Sequence, residues 1–184
     1  GLPGLKVHAK MLLIVRQEED GIKRYLHLGT GNYNDVTART YEDLGLFTAN
    51  ARMAADASTI FNMLSGYSNL GNLYELEVAP MTLRQRLSSL IRQEIEHARN
   101  GRPAHIIAKV NSLLDKPVIK ELFMASQAGV RIDLIVRGIC SLKPNVPGCS
   151  ENIQVRSVVG RFLEHSRIYF FHNDGDNRVF LSSA

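Results

Sequence analysis

The stretch between residues 73 and 137 alternates between strand-like and helix-like segments, and this order restricts the fold more than any other feature of the sequence. Short apolar runs rich in β-branched side chains predict strands, whereas apolar side chains that recur every three or four residues predict amphipathic helices. A strand–helix–strand–helix–strand order predicts an α/β fold in which some strands pair in parallel. The predicted strands cover residues 73–79, 104–111 and 131–137, and the predicted helices run from Thr82 to Asn100 and from Pro117 to Ala128.

Hairpins are predicted near both ends of the chain, because each end carries an Asp-Gly turn between two strand-like runs. The first run is expected to form a strand that becomes buried, since its apolar alternation gives way to a continuous apolar stretch. Thr82 and Gln85 have the spacing of a capping box, and Asn50 is placed to cap a helix. The remaining predicted strands cover residues 5–15, 22–30, 43–48, 153–159, 166–172 and 178–183, and one further helix covers residues 50–65.

Charge is distributed unevenly along the chain. The net charge of +4 is too small to indicate a nucleic-acid-binding protein by itself. Residues 1–79 carry −2, however, and residues 80–184 carry +6, so the second half is better suited to an anionic ligand. Together with the break near Pro80, this change predicts two domains, at residues 1–78 and 79–184.

The two cysteines, Cys140 and Cys149, have neither C-x-x-C spacing nor a nearby histidine, so no metal site is predicted within the chain. Two thiols in a chain of this size fit a reducing compartment. No apolar stretch reaches transmembrane length. We expect a cytoplasmic protein, with peripheral association with the inner membrane left open. The chain starts without Met and stops directly after a strand-like run, so we expect a piece of a longer protein.

The same order of residues occurs near both ends of the chain. His8-Ala9-Lys10 precedes a strand, an Asp-Gly turn and a second strand that ends in Gly29-Thr30-Gly31-Asn32. His165-Ser166-Arg167 precedes the same elements, which end in Ser182-Ser183. Because side chains two residues apart share one face of a strand, each motif predicts an imidazole beside a fixed cation. Such a cluster suits a phosphoryl group, since the cations neutralise its oxygens while an imidazole attacks phosphorus or transfers a proton.

Other features narrow the chemistry. The glycines near Thr30 do not form a dinucleotide-binding fingerprint, because Asn34 occupies its last glycine position, and the sequence contains no phosphate-binding loop of the G-x-x-x-x-G-K-[ST] type. Arg137 ends a predicted strand just before Gly138, where α/β sheets place ligand contacts. Most histidines on strands are structural, and that interpretation applies to His27, His97, His105 and His172.

Several long motifs resemble those of bacterial polyphosphate kinases, and the resemblance covers essentially the whole chain. The run from Gly4 to Lys10 resembles the segment around that family's phosphorylated histidine. The C-terminal domains of the family resemble phospholipase D. The resemblance therefore implies an α/β fold made of parts of two phospholipase D-like domains, with mixed sheets flanked by helices. Further similar stretches are residues 27–34, 37–39, 136–142, 162–165, Tyr169 and 181–184.

The resemblance also implies roles for individual residues. His8 would be the histidine that ATP phosphorylates, and His165 the second essential histidine. Tyr41, Arg137 and His165 fall where the family contacts nucleotide phosphates. The implied reaction is the reversible transfer of the γ-phosphate of ATP to inorganic polyphosphate through a phosphohistidine, with Mg²⁺ accompanying ATP.

The residues themselves add three members to this expected site. Lys10 is expected to act in catalysis, and Asn32 and Arg167 to bind phosphate oxygens. The expected partners are ATP or ADP and inorganic polyphosphate, with no nucleic acid. A homo-oligomer is also expected, because unpaired strand edges in the first domain could pair with another copy.

Two other functions remain open at the level of sequence. A phospholipase D-like phosphodiesterase or phosphatidyltransferase would use the same histidines, and a non-catalytic module could hold polyanions by charge alone. Three departures from the phospholipase D pattern disfavour lipid hydrolysis: Val15 stands where that pattern has Asp, Thr30 where it has Ser, and Arg167 where it has Lys. Two ordered histidine–cation pairs exceed what electrostatic attraction alone requires.

Overall fold

The computed structural model describes residue 4 and residues 6–184, and it confirms a mixed α/β fold with sheets flanked by helices. The helices are α1 (Asp35–Ala38), α2 (Ala51–Leu64), α3 (Leu83–Arg99) and α4 (Lys116–Gln127). The strands are β1 (Met11–Glu18), β2 (Gly21–Gly29), β3 (Tyr41–Glu42), β4 (Gly45–Thr48), β5 (His105–Val110), β6 (Arg131–Val136), β7 (Ile153–Arg156), β8 (Leu163–Glu164), β9 (Arg167–Phe171) and β10 (Arg178–Ser182).

The first sheet is antiparallel and has the strand order β1-β2-β4. The predicted turn is confirmed, since Glu18 pairs with Gly21, whose φ of 120° favours glycine. The first predicted strand is wrong in two respects. Residues 6–10 are irregular, and residue 5 lies outside the described residues. Nor is β1 buried, because Leu12 is 50% exposed and Val15 56% exposed. Helix α2 contacts this sheet and buries Leu26 of β2.

The second sheet has five strands in the order β10-β9-β5-β6-β7. Strands β5 and β6 run parallel, as the alternation of elements predicted, and β7 pairs in parallel with β6, whereas β9 and β10 are antiparallel to their neighbours. Alternate residues of β6 are fully buried, so one face of the sheet is apolar and packs against α3 and α4. This core is formed by Leu90, Ile91, Ile95, Ile106, Leu113, Ile119, Leu122, Ala125, Val130, Ile132, Leu134, Val136, Leu142, Ile153 and Phe171.

Of the two predicted helix N-caps, one is confirmed and the other is wrong. The Asn50 side chain accepts hydrogen bonds from the backbone N–H groups of Arg52 and Met53, which confirms it as the N-cap of α2. The capping box at Thr82 is wrong, because its side chain makes no capping hydrogen bond to α3. Instead, Thr82 Oγ1 accepts a hydrogen bond from Val78 N at 2.9 Å and holds the preceding segment.

The predicted strand over residues 73–79 is also wrong, since this segment has no regular structure. Its backbone is held by Asp56 of α2, whose side chain is 1% exposed. The Asp56 carboxylate accepts hydrogen bonds from the N–H groups of Tyr74, Glu75 and Leu76 at 2.7–3.0 Å. A buried carboxylate thus replaces the neighbouring strand that would otherwise satisfy these donors.

A third, two-stranded sheet joins the two halves of the chain. Strands β3 and β8 pair in parallel, with Tyr41 opposite Leu163 and Glu42 opposite Glu164. Strand β8 was not predicted, because two residues are too few to carry a periodic pattern. Among the described residues, no helix is both long and apolar enough to cross a membrane.

Candidate active site

The pairing of β3 with β8 places His165 directly beside Asp43. His165 N donates a hydrogen bond to Glu42 O at 3.0 Å, which extends the pairing by one residue. As a result, His165 Nδ1 lies 2.8 Å from Asp43 Oδ1, and both side chains are largely buried. A carboxylate in this position orients the imidazole and favours a hydrogen on Nδ1.

Asp43 is itself fixed from a second direction. Thr30 Oγ1 donates to Asp43 Oδ1 at 2.7 Å and accepts from Leu44 N at 2.9 Å, and Thr30 is 2% exposed. Gly31 makes this close approach feasible, since a Cβ atom there would lie 2.5 Å from Asp43 Oδ2. The Gly29-Thr30-Gly31 run therefore positions the carboxylate that holds His165.

His8 is held by the other end of the chain. Its Nδ1 lies 3.0 Å from Ser183 O, and Ser183 Oγ donates back to His8 O at 3.0 Å. A carbonyl oxygen can only accept a hydrogen bond, so Nδ1 carries the hydrogen in the neutral ring. The Nε2 atom then keeps its lone pair, which is the form required of a nucleophile.

Lys10 contacts the His8 ring, as predicted, although the predicted strand does not form at these two residues. Lys10 Nζ lies 3.2 Å from Nδ1 and 3.0 Å from Nε2, and it donates to His8 O at 3.2 Å. Because Nδ1 carries the ring hydrogen, Nε2 is the ring nitrogen that can accept a hydrogen bond from Lys10. Burial, Lys10, Arg167 and His165 lower the pKa of His8, and only its hydrogen bond with Ser183 acts in the opposite direction.

Two arginines complete a cluster of positive charge. Arg167 is 8% exposed and donates to His165 O at 2.7 Å, and Arg137 donates to Glu164 O at 3.1 Å. Burial and then Arg137 lower the pKa of Arg167. Burial and then Arg167 lower the pKa of Lys10. A neighbouring cation thus destabilises the charged form of both Lys10 and Arg167, and an anionic ligand would offset this repulsion.

Of the other predicted site residues, Tyr41 contacts the site, whereas Asn32 forms no hydrogen bond with the site's described residues. The Tyr41 ring packs against the His165 ring, with centroids 5.1 Å apart. Asn32 is exposed, and its side chain forms no hydrogen bond with any described residue. Its backbone carbonyl accepts a hydrogen bond from Asn34 N.

A cavity of about 980 Å³ opens beside this cluster. It is lined by His8, Lys10, Ser183 and Tyr169, and it continues between α2 and β10 over apolar side chains. Within residue 4 and residues 6–184, no group of three or more His, Cys, Asp or Glu side chains is arranged to hold a metal ion. The described side chains that form the site are cations, imidazoles and the Asp43 carboxylate.

Sequence reasoning missed Asp43, which is central to the site. The signal was present, because Tyr41 and Asp43 are two residues apart, as His8 and Lys10 are, and Tyr41 was already a candidate. What hid it was that the predicted strand, residues 43–48, began at Asp43 and left Tyr41 in a loop. The role of the Ser183 carbonyl carries no sequence signal, because every residue has a carbonyl.

Comparison with known proteins gives a consistent answer over the whole chain. The family described as polyphosphate kinase C-terminal domain 1 matches residues 1–70, and polyphosphate kinase C-terminal domain 2 matches residues 76–184. The polyphosphate kinase of Thermosynechococcus vestitus is 56% identical to this chain, and that of Halalkalibacterium halodurans is 57% identical to it. Both matches cover 100% of the chain. The chain covers 25% and 26% of those two proteins, so it spans about a quarter of the length of the curated relatives it matches.

A solved structure supports the same assignment. The crystal structure of polyphosphate kinase from Porphyromonas gingivalis matches with a TM-score of 0.91 and 45% identity, over 100% of this chain and 30% of that one. Because a family match covers more than half of the chain and the fold agrees at this identity, the chain belongs to the polyphosphate kinase family.

Proposed function

We propose that these residues form the phosphoryl-transfer site of a polyphosphate kinase, which moves the γ-phosphate of ATP reversibly onto inorganic polyphosphate through a phosphohistidine at His8. The observation that carries this proposal is the state of His8. A carbonyl fixes its tautomer, its pKa is lowered, and Lys10 and Arg167 surround it with positive charge. That combination suits a neutral nucleophile facing an anionic substrate.

In the first step, His8 Nε2 attacks the γ-phosphorus of ATP in line. An N–P bond forms, the bond from phosphorus to the β,γ-bridging oxygen breaks, and ADP leaves with that electron pair. The imidazole keeps its Nδ1 hydrogen, which remains on Ser183 O. In the second step, a terminal oxygen of polyphosphate attacks the phosphorus, and the N–P bond breaks to restore neutral His8. The reverse sequence makes ATP from polyphosphate and ADP.

Lys10, Arg137 and Arg167 would hold the phosphate oxygens in both steps. Phosphoryl transfer depends mainly on positioning and on stabilising charge on the equatorial oxygens. The arginines suit this task because their guanidinium groups bind two oxygens at once and are tied by their own hydrogen bonds to the strand backbone near His165. Asn32 remains a proposed additional donor.

His165 would work from the opposite half of the site. With Nδ1 committed to Asp43, its Nε2 atom is the one that can face the substrate. A hydrogen on that atom would donate to the transferring phosphoryl group or to the leaving oxygen. Tyr41 packs on the same ring and helps to fix its plane.

Mg²⁺ would arrive as part of the substrate MgATP. It usually binds through substrate phosphates with only one or two carboxylates. Among the described residues, the carboxylate that lies in this site is that of Asp43, which His165 and Thr30 already engage. The proposal also includes a homo-oligomeric enzyme in the cytoplasm, where ATP is available.

The test is transfer of label from ATP to His8 in the full-length protein. The protein is incubated with MgATP labelled at the γ-phosphate, and acid-labile, base-stable label is mapped by mass spectrometry. We expect label on His8, none in His8→Ala, and normal label in His172→Ala, a histidine that caps the 3₁₀ turn before β10. Folded wild-type protein that binds ATP but acquires no label would refute the phosphohistidine route.

A further inference from the structure

Tyr169 lies in the wall of the same cavity, yet the mechanism described above gives it no task. It is on β9, two residues after Arg167, so both side chains are on the same face of the sheet. Its neighbours across the sheet are Phe180 on β10 and Ala108 on β5. The cavity that Tyr169 lines also reaches His8 and Lys10.

The electrostatic surroundings connect Tyr169 to the phosphate-binding cations. Burial raises the pKa of Tyr169, and the positive charge of Arg167 partly opposes that rise. Arg167 also lowers the pKa of His8. The phenol and the nucleophile are thus both within the electrostatic reach of one guanidinium, and the phenol keeps its hydrogen at neutral pH.

The Tyr169 hydroxyl forms no hydrogen bond with any residue in the described part of the chain, although the side chain is mostly buried. The hydroxyl oxygen itself stays accessible, so it is open to a ligand in the cavity. A simple packing role would be served equally well by phenylalanine, which already occupies the neighbouring positions Phe170, Phe171 and Phe180. The hydroxyl is therefore a donor that no described residue engages.

Building on the proposed function, we propose that the Tyr169 hydroxyl donates a hydrogen bond to a non-transferred phosphate of the bound phosphoanhydride chain. His8 and Lys10 line the same cavity as Tyr169, so a chain of phosphates that extends from His8 into the cavity passes the Tyr169 side chain. The donor is neutral, so it orients the chain without adding to the repulsion among the cations. Polyphosphate and ATP share this chemistry, and the experiment separates them.

The test measures binding of tripolyphosphate and of MgATP to the full-length protein by isothermal titration calorimetry. Tyr169→Phe removes only the hydroxyl, and its thermal unfolding midpoint is expected to match that of the wild type. We expect tripolyphosphate to bind about ten- to a hundredfold more weakly to this variant, the usual effect of losing a hydrogen bond to a charged group. The matched control is Tyr25→Phe, whose hydroxyl donates to Glu18 on the first sheet. It is expected to bind as the wild type does.

Each outcome decides the proposal. A loss for tripolyphosphate alone assigns the contact to the polyphosphate chain, and a loss for MgATP alone assigns it to the nucleotide. If the wild type binds both ligands and Tyr169→Phe binds them within twofold, the assignment of Tyr169 is overturned while the proposed function stands. If the wild type binds neither ligand, the proposed function fails and this inference fails with it.

Discussion

Replacing Asp43 by asparagine tests whether the carboxylate beside His165 serves phosphoryl transfer. The substitution keeps the size of the side chain and an oxygen that can accept from His165 Nδ1, but it removes the negative charge. A hydrogen bond to a charged group contributes about 1.5–3 kcal/mol and a neutral one about 0.5–1.5 kcal/mol. The expected loss is therefore about 1–2 kcal/mol in any step where His165 carries an added proton, or about 5- to 30-fold in rate.

The prediction also specifies whether Asp43→Asn changes kcat or the KM for ATP. Asp43 raises the pKa of both Lys10 and Arg167, so its negative charge partly offsets the cations that attract substrate. Removing that charge leaves the site more positive, so the KM for ATP should stay level or fall. The loss is expected in kcat, measured by steady-state polyphosphate synthesis with the full-length protein.

Two further variants make this prediction specific. In Gly31→Ala, the new Cβ would lie 2.5 Å from Asp43 Oδ2, so the carboxylate must move while its charge is retained, and kcat should again fall. Asp20→Asn is the matched control, because that carboxylate pairs with Lys23 at the exposed hairpin turn. A kcat for Asp43→Asn within threefold of wild type, or a raised KM with unchanged kcat, would contradict the reasoning.

Two other variants test the effect of Lys10 on His8 and the contacts of Asp56 with residues 74–76. Lys10→Met removes a charge that lowers the pKa of His8, so that pKa should rise toward its ordinary 6.5 and the acid limb of phosphohistidine formation should move to higher pH. An acid limb that stays in place, measured by rapid-quench labelling from pH 5 to pH 8 with Lys23→Met as control, would show that Lys10 does not tune the nucleophile. Asp56→Ala removes the acceptor for the N–H groups of residues 74–76, so their hydrogen-exchange protection should fall by about 30-fold, equivalent to about 2 kcal/mol. Unchanged protection of those amides would mean that the segment is held by other contacts.

The regular elements were largely predictable because their signals are local. A helix is encoded by apolar residues three and four apart, and a hairpin by an Asp-Gly pair between two apolar runs. The helices α2, α3 and α4 and the parallel strands β5, β6 and β7 follow such patterns, and their predicted limits hold to within a few residues. The contact of Lys10 with His8 followed from their two-residue spacing, although residues 6–10 form no strand.

The segment at residues 73–79 and strand β1 show where local patterns mislead. An apolar alternating run predicts a strand only if a neighbouring strand satisfies its backbone, and at residues 74–76 the Asp56 carboxylate accepts those hydrogen bonds instead. Burial of β1 likewise requires a second layer. Within residue 4 and residues 6–184, the face that carries Leu12 and Ile14 has no such layer, and these side chains are 50% and 47% exposed.

The sequence by itself determined the α/β class, the two hairpins, and the two histidines that each precede a cation by two residues. Only the tertiary structure decided which groups complete the site. His165 meets Asp43 across 122 positions of sequence, and His8 meets Ser183 across 175. Periodicity reports only on residues a few positions apart, whereas these contacts arise because β3 pairs with β8 and the end of β10 lies beside His8. Chain topology therefore selects the tautomer of His8 and the orientation of His165.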